Sequence, residues 1–381
     1  MYFELSKEQN TIKQAAKEFA KKEFPEVCKE CDREEIYPWK IWEKACEFDF
    51  IGTFIQEDYG GAGLGYFENC LITEEFWKVD PGCGCILLSA FGSQIIQKFG
   101  TESQKKKYLP LLPTGKAILA KAITEPDAGS DIFNMQTTAE KNGNEYIING
   151  SKTFITNGTL ANYVLVYCVT DSEAPRNNKY SVLIVDTTSP GFESQKIKGK
   201  LGIRASDTAE LSFKNVRVPE ENLLGGTEGQ GFAQIMQLFN ICRVEAASQG
   251  VGVAQGSLDL AVAHVRQRKV FGKPIGTFQA TKFKLAEIAT KVEAARMLTY
   301  QAGWLIDQGK TDPKLIAMAK YYSGEVGVRA ADEALQLHGG YGYIGDYDIE
   351  RFYRDAKIVE IYEATKEIEK NTIGNILIGK L

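Results

Sequence analysis

Asn142-Gly-Asn-Glu-Tyr-Ile-Ile-Asn-Gly-Ser-Lys-Thr-Phe-Ile-Thr-Asn-Gly158 carries three Asn-Gly pairs in seventeen residues. Asn-Gly tolerates positive φ at low cost and marks tight hairpin turns. Between the pairs lie two short strand-like runs, Tyr146–Ile148 and Lys152–Ile155. Similar runs follow at Tyr163–Val169, Tyr180–Val185 and Ala209–Phe213, and Pro219 closes the region. Short strands with turn signals predict an antiparallel β-domain over residues 119–228.

Both flanks have a different texture. Upstream, Ile12–Phe24, Ile41–Phe50, Asn69–Val79 and Ile86–Phe99 place apolar residues at helical spacings. Ser6 and Gln9 stand in capping-box spacing, so a helix starts there. Downstream, Phe232, Ile235, Met236 and Phe239 fall on one helical face. Long helices are expected to run to about Arg268, from Gln279 to Asp307 and from Pro313 to Leu337. The chain therefore reads as mainly α with an inserted β-domain. An N-terminal helical domain spans 1–118, the middle antiparallel β-domain 119–228 and a C-terminal helical domain 229–381. Strand–helix alternation of the Rossmann kind is missing, so the glycine-rich Tyr59–Gly65 stretch reads as a loop and not a dinucleotide fingerprint.

Composition narrows the function. A chain of 381 residues with net charge −5 has no basic footprint for nucleic acid. It also contains no apolar run of membrane-spanning length. The N-terminus lacks the pattern of a secretory signal, and eight scattered cysteines suit reduced thiols, so a cytoplasmic location is expected. Cys28-x-x-Cys31 has no second pair, and its charged neighbours suggest an exposed helix. With two histidines, His264 and His338, no metal centre is expected.

Five stretches carry chemistry. Glu363 ends an apolar run (Ile358, Val359, Ile361, Tyr362) just before a short acidic helix, Ala364–Asn371. A carboxylate in apolar surroundings can accept a proton near neutral pH, although a glutamate at a helix start is commonly just solvated. Ala122-Ile-Thr-Glu-Pro-Asp-Ala-Gly-Ser-Asp131 offers hydroxyls and a turn suited to the polar edge of a heteroaromatic ring. Lys152-Thr-Phe-Ile-Thr-Asn-Gly158 sets Phe154 and Thr156 on one strand face, for stacking plus a hydrogen bond. Arg266–Gln279 brings Arg268, where a guanidinium could clamp a pyrophosphate. Gln336-Leu-His-Gly-Gly-Tyr-Gly342 is a glycine-rich helix end open to a ligand. Each alone has an ordinary explanation as a turn, strand or basic loop.

Together, and in this order, the motifs resemble the acyl-CoA dehydrogenases over essentially the whole chain. The Glu363 segment is similar to the family's Ile-Tyr-Glu-Gly-Thr motif, with Gln336 standing 27 residues upstream. The resemblance implies a C-terminal four-helix bundle and FAD-dependent α,β-dehydrogenation of an acyl-CoA, with the α-proton going to Glu363 and the β-hydride to flavin N5. It places Ile123, Thr124, Gly129 and Ser130 near the flavin ring and pyrophosphate, and Phe154 and Thr156 against the isoalloxazine. It assigns Arg268, Phe271, Gln279, Gln336 and Gly340 to FAD across a subunit interface, and Thr365 and Glu367 to the cofactor side after the base. Ser130, Phe91, Phe239, Asn240, Arg243 and Tyr362 fall on the substrate side. A homotetramer and an electron-transferring flavoprotein as electron acceptor are implied as well.

Three departures matter. Ala364 replaces the usual Gly, Phe154 replaces a common Trp, and the alternative base position holds Cys242, which leaves Glu363 as base. Ile86–Gln94, expected at the acyl end, is uncharged, which argues against a dicarboxylyl group such as glutaryl. The expected substrate is short, branched or alicyclic, with cyclohexane-1-carbonyl-CoA as a specific candidate. A butyryl-CoA-type substrate, or an oxidase on the same fold, are the alternatives.

Overall fold

The structure, a computed structural model, describes residues 4–379. Seven helices precede the sheet: α1 (Lys7–Glu23), α2 (Cys28–Glu34), α3 (Trp39–Glu47), α4 (Tyr66–Val79), α5 (Pro81–Gly84), α6 (Ser93–Phe99) and α7 (Glu102–Tyr108). The expected capping box opens α1, with Gln9 N–H donating to Ser6 Oγ and Ser6 N–H to Gln9 Oε1. The expected Ile86–Phe99 helix is split. A short 3₁₀ turn ends at Ala90, and Gly92 takes φ 101 before α6 begins. The break turns Phe91 inward, where it is buried. In α2 both Cys28 and Cys31 are buried, contrary to the exposed helix expected from their charged neighbours. Those neighbours occupy the outer face while the two thiols face the core.

The β-domain comprises β1 (Leu119–Ala122), β2 (Thr138–Asn142), β3 (Glu145–Thr156), β4 (Tyr163–Val169), β5 (Tyr180–Asp186), β6 (Phe192–Lys196) and β7 (Thr208–Pro219). Their sheet runs β1-β4-β2-β3-β7-β6, with β5 paired to β4. Most pairings are antiparallel as expected, but β1 runs parallel to β4, matching Leu119 to Tyr163 and Ala122 to Val166, and β2 meets β4 in parallel at Thr138 and Val169. Two of the three Asn-Gly pairs make turns. The third, Asn149-Gly150, lies inside β3, where the register with β7 shifts. Gly150 has φ 144, and a Cβ there would sit 2.5 Å from Thr137 Oγ1, so the glycine serves a close strand approach.

The last helices are α8 (Gly231–Gln267), α9 (Gln279–Asp307), α10 (Pro313–His338), α11 (Ile349–Ala356) and α12 (Lys366–Ile378). Helix α8 is the axis of the molecule. A Cβ at Gly252 would lie 2.7 Å from the Glu74 carbonyl oxygen on α4, and one at Gly250 2.8 Å from Ser323 backbone on α10. Small residues let these helices touch backbone to backbone, so the two helical regions share one support. The final helix starts later and runs longer than the expected Ala364–Asn371, because Thr365 is its N-cap and accepts from Ile368 N–H. Among the described residues no helix is long and apolar enough to cross a membrane.

Candidate active site

Glu363 sits in the connection between α11 and α12, with φ 53, followed by Ala364 with φ 79. Two consecutive left-handed residues turn the chain sharply, and Ala364 holds a conformation that favours glycine. Lys320, wholly buried on α10, donates to the Ala364 carbonyl and ties the turn down. Burial depresses the Lys320 ammonium to about 8, although Glu369 and Glu363 support its charge. Nearby, Arg243 Nε lies 2.8 Å from Glu369 Oε1, close enough for a buried ion pair although the N–H does not point at that oxygen. Burial lifts the Glu369 carboxyl to about 7 against the pull of Arg243 and Lys320.

The Glu363 carboxylate meets Lys121 of β1, whose Nζ donates to Glu363 Oε1 at 2.6 Å and to Cys242 Sγ at 3.5 Å. The same ammonium stands 4.0 Å from the centre of the Phe91 ring. Glu363 Oε2 is buried without a partner. Burial works against the Lys121 charge, but Cys242 and Glu363 hold its pKa above the ordinary lysine value. One helical turn after Cys242, Glu245 is buried, and burial raises its carboxyl to about 8, with Lys121 opposing and Glu363 adding to the rise. The Tyr167 hydroxyl is also buried without a partner. Tyr362, half-buried, hydrogen-bonds Gln249 on α8. Arg243 lies over Phe239, 5.5 Å from its ring centre, and Asn240 is half-buried on the same helix.

Lys121 and Glu245 are absent from the residues singled out in the sequence. Each left a faint signal: a lone lysine in Ala117-Ile-Leu-Ala-Lys-Ala122 and a lone carboxylate in Val244-Glu-Ala-Ala247. Lys121 also changes one inference. The Ile86–Gln94 wall is uncharged, yet a cation from β1 stands against Phe91, so lack of charge in that segment does not exclude an anionic acyl group.

A second cluster forms at the end of β1. Thr153 N–H donates to the Thr124 carbonyl at 2.9 Å, joining the Thr124 turn to β3. Lys152, fully buried, donates to the Ile123 carbonyl and, at 2.8 Å, to Glu125 Oε1. A one-residue bulge between Lys152 and Ile155 gives Phe154 φ 58 and leaves its ring 68% exposed. Gly129 and Ser130 are exposed on the turn, and Thr156 is half-buried beside Phe154. The edge so formed presents an uncovered ring, hydroxyls and backbone N–H groups.

A third group lies on the C-terminal helices. Arg268, Gln336 and Gly340 line a cavity of about 480 Å³ together with His264, His338 and Tyr341. Arg268 covers the Tyr341 ring at 5.1 Å. His264 Nε2 is a buried atom without a partner, and a Cβ on Gly340 would meet nothing within 4 Å. Phe271 (93% exposed) and Gln279 stand outside this cavity, and Glu367 is exposed on the first turn of α12.

Three family models match in sequence: the acyl-CoA dehydrogenase N-terminal domain over residues 6–116, the middle domain over 120–216 and the C-terminal domain over 229–378. The chain belongs to the acyl-CoA dehydrogenase family. Its members are FAD-dependent oxidoreductases, and this enzyme takes FAD as cofactor. It is 41% identical to acryloyl-CoA reductase (NADH) of Anaerotignum propionicum, covering 98% of this chain and 95% of that one. It is 40% identical to the caffeyl-CoA reductase-Etf complex subunit CarC of Acetobacterium woodii over 100% of both. Butyryl-CoA dehydrogenase from Megasphaera elsdenii superposes with a TM-score of 0.96 at 37% identity, covering 100% of each chain. The cavity at Arg268 and Gln336, the orphaned His264 nitrogen and the exposed Phe154 edge fit an extended dinucleotide.

Proposed function

We propose that the enzyme removes the α-proton of an acyl-CoA thioester with Glu363 and thereby forms, or in reverse reduces, the 2-enoyl-CoA. The observation that carries this reading is the half-buried Glu363 carboxylate, with one oxygen held by Lys121 and the other buried without a partner. Bound FAD supplies the two-electron acceptor for the β-hydride. The chain's own task is to hold the thioester, polarise its carbonyl and place the base. The Glu363 backbone N–H is suited to the carbonyl, because charge gathers on that oxygen as the proton leaves. The surrounding apolar residues exclude water, and a positioned base contributes about 10²–10⁴-fold.

For the cofactor, Ile123, Thr124, Gly129, Ser130, Phe154 and Thr156 provide the ring-side edge. Arg268, Phe271, Gln279, Gln336 and Gly340 provide a second one. The cavity at Arg268 and Gln336 is lined by residues of the C-terminal helical region alone, which supports a homotetramer in which neighbouring subunits share each FAD. Thr365 and Glu367 lie beside the base on the cofactor side. Phe91, Phe239, Asn240, Arg243, Tyr362 and Ser130 serve the substrate.

A short, branched or alicyclic acyl group is the proposed substrate, cyclohexane-1-carbonyl-CoA among the candidates, with a butyryl-type chain as the rival. The buried Phe91 ring and half-buried Phe239 support a compact cavity. The Etf-complex relative supports an electron-transferring flavoprotein as redox partner. The test is anaerobic flavin bleaching by linear C4–C8, branched, glutaryl and cyclohexanecarbonyl thioesters. Glu363→Gln is expected to keep bound yellow FAD and lose at least about 100-fold in bleaching rate. Bleaching at the parent rate would remove Glu363 as the base.

A further inference from the structure

We infer that Lys121 is a positioning residue for the proton transfer: its ammonium pins Glu363 Oε1 and leaves Oε2 as the oxygen that takes the α-proton. The inference rests on the reading of Glu363 as base. Glu363 lies in an irregular turn with two consecutive positive φ angles. Lys121 lies inside a strand, opposite Leu165 in the parallel β1–β4 pairing. A base carried on a turn is aimed poorly unless something firm holds it, and a small misplacement of a reacting group is costly in rate.

The surroundings single out this pair. Besides Glu363, the Lys121 ammonium touches the Cys242 thiol and the Phe91 ring. Burial raises the Cys242 thiol and so disfavours its thiolate form. Glu245 is buried too, and burial favours its uncharged form. Glu363 gives Lys121 its shortest side-chain contact, at 2.6 Å. A buried carboxylate oxygen without a partner is costly, and it is free to take up a proton or hydrogen bond brought by a ligand. Here Oε2 is buried and unpartnered. In the reaction the α-carbon C–H bond breaks, its proton goes to Oε2, and its electron pair moves into the new Cα–Cβ double bond; the two-electron acceptor for the β-hydride would be supplied by FAD when bound. The Phe91 ring beside the same ammonium places this device against the proposed acyl cavity.

Proton transfer can be read apart from redox chemistry. An acyl-CoA analogue with sulfur in place of the β-carbon cannot lose a hydride, yet its α-protons exchange with D₂O if the base acts. The FAD-loaded enzyme and its Lys121→Met and Lys121→Arg variants are compared by mass spectrometry of the recovered analogue, with its dissociation constant measured alongside. Lys121→Met is expected to slow exchange by about 30-fold, less than the about 10²–10⁴-fold that a positioned base contributes, because the base itself remains. Binding should change by less than about 3-fold, and Lys121→Arg should restore exchange to within about 5-fold. Exchange at the parent rate in Lys121→Met, or no recovery in Lys121→Arg, overturns the inference. So does a loss of exchange that only follows a loss of binding. Should Lys121→Met fail to fold, Lys121→Gln makes the same comparison. Glu363→Gln separates the two readings: exchange at the parent rate in that variant sinks the base assignment itself. An inactive Glu363→Gln beside an unaffected Lys121→Met sinks only the role of Lys121.

Discussion

At the scale of single residues, Glu245 has a consequence in pH. Its carboxyl titrates near 8 in the folded protein because it is buried, against about 4.3 in an unfolded chain. Raised in the folded state, it contributes stability that is fully present below the unfolded value and is lost as pH rises through about 8. Glu245→Gln keeps the uncharged shape without this titration. Parent and variant should melt together near pH 4, and by pH 8 the variant should melt a few degrees higher. Equal melting temperatures across the range would show that the site does not hold Glu245 in its acid form. The same scale shows why Glu363 was legible and Lys121 was not. Glu363 sits in a segment with a recognisable neighbourhood, whereas Lys121 gains its meaning from Cys242 and Glu363, 121 and 242 residues away.

Among the elements, the junction of β1 and β3 bears on cofactor retention. The Glu125 carboxyl is pushed up by burial, but the Lys152 ammonium and the N–H groups of Thr137 and Gln136 hold it below the usual range. Lys152→Met would strand that carboxylate in the interior, a loss of about 3–5 kcal/mol for breaking a buried pair. The Thr124–Ser130 turn hangs on the same contacts. The variant is expected to melt lower and to lose its yellow FAD on gel filtration, and retention of full FAD would separate the turn from cofactor binding. The strands β4 and β5 were readable because both are apolar runs with clear ends. Strands β1 and β6 were not, the first being four residues long and the second largely exposed. The Asn149-Gly150 pair misled because an Asn-Gly signal specifies local backbone freedom, and here a close approach to Thr137 uses that freedom inside a strand.

For the whole molecule, large apolar side chains remain exposed on the C-terminal half: Phe271, Phe283, Trp304, Tyr343 and Leu377. Scattered exposed apolar residues are ordinary. A ring 93% exposed at a position proposed to meet FAD is better explained by a neighbouring subunit. Sedimentation is expected to show a tetramer, and Phe271→Ser to weaken assembly and FAD retention together. A monomeric parent that holds FAD at full occupancy would refute shared sites.

The sequence by itself determined the helical–β–helical order, because periodicity and turn chemistry are local properties of the chain. It also pointed to Glu363 and to the motifs of the family. Tertiary structure alone decided what touches the carboxylate. Strand β1 enters the sheet beside β4, and only the packing of sheet, α8 and the turn before α12 sets Lys121 within reach of Cys242 and Glu363. Charge in a buried site depends on such distances, and no local pattern encodes them.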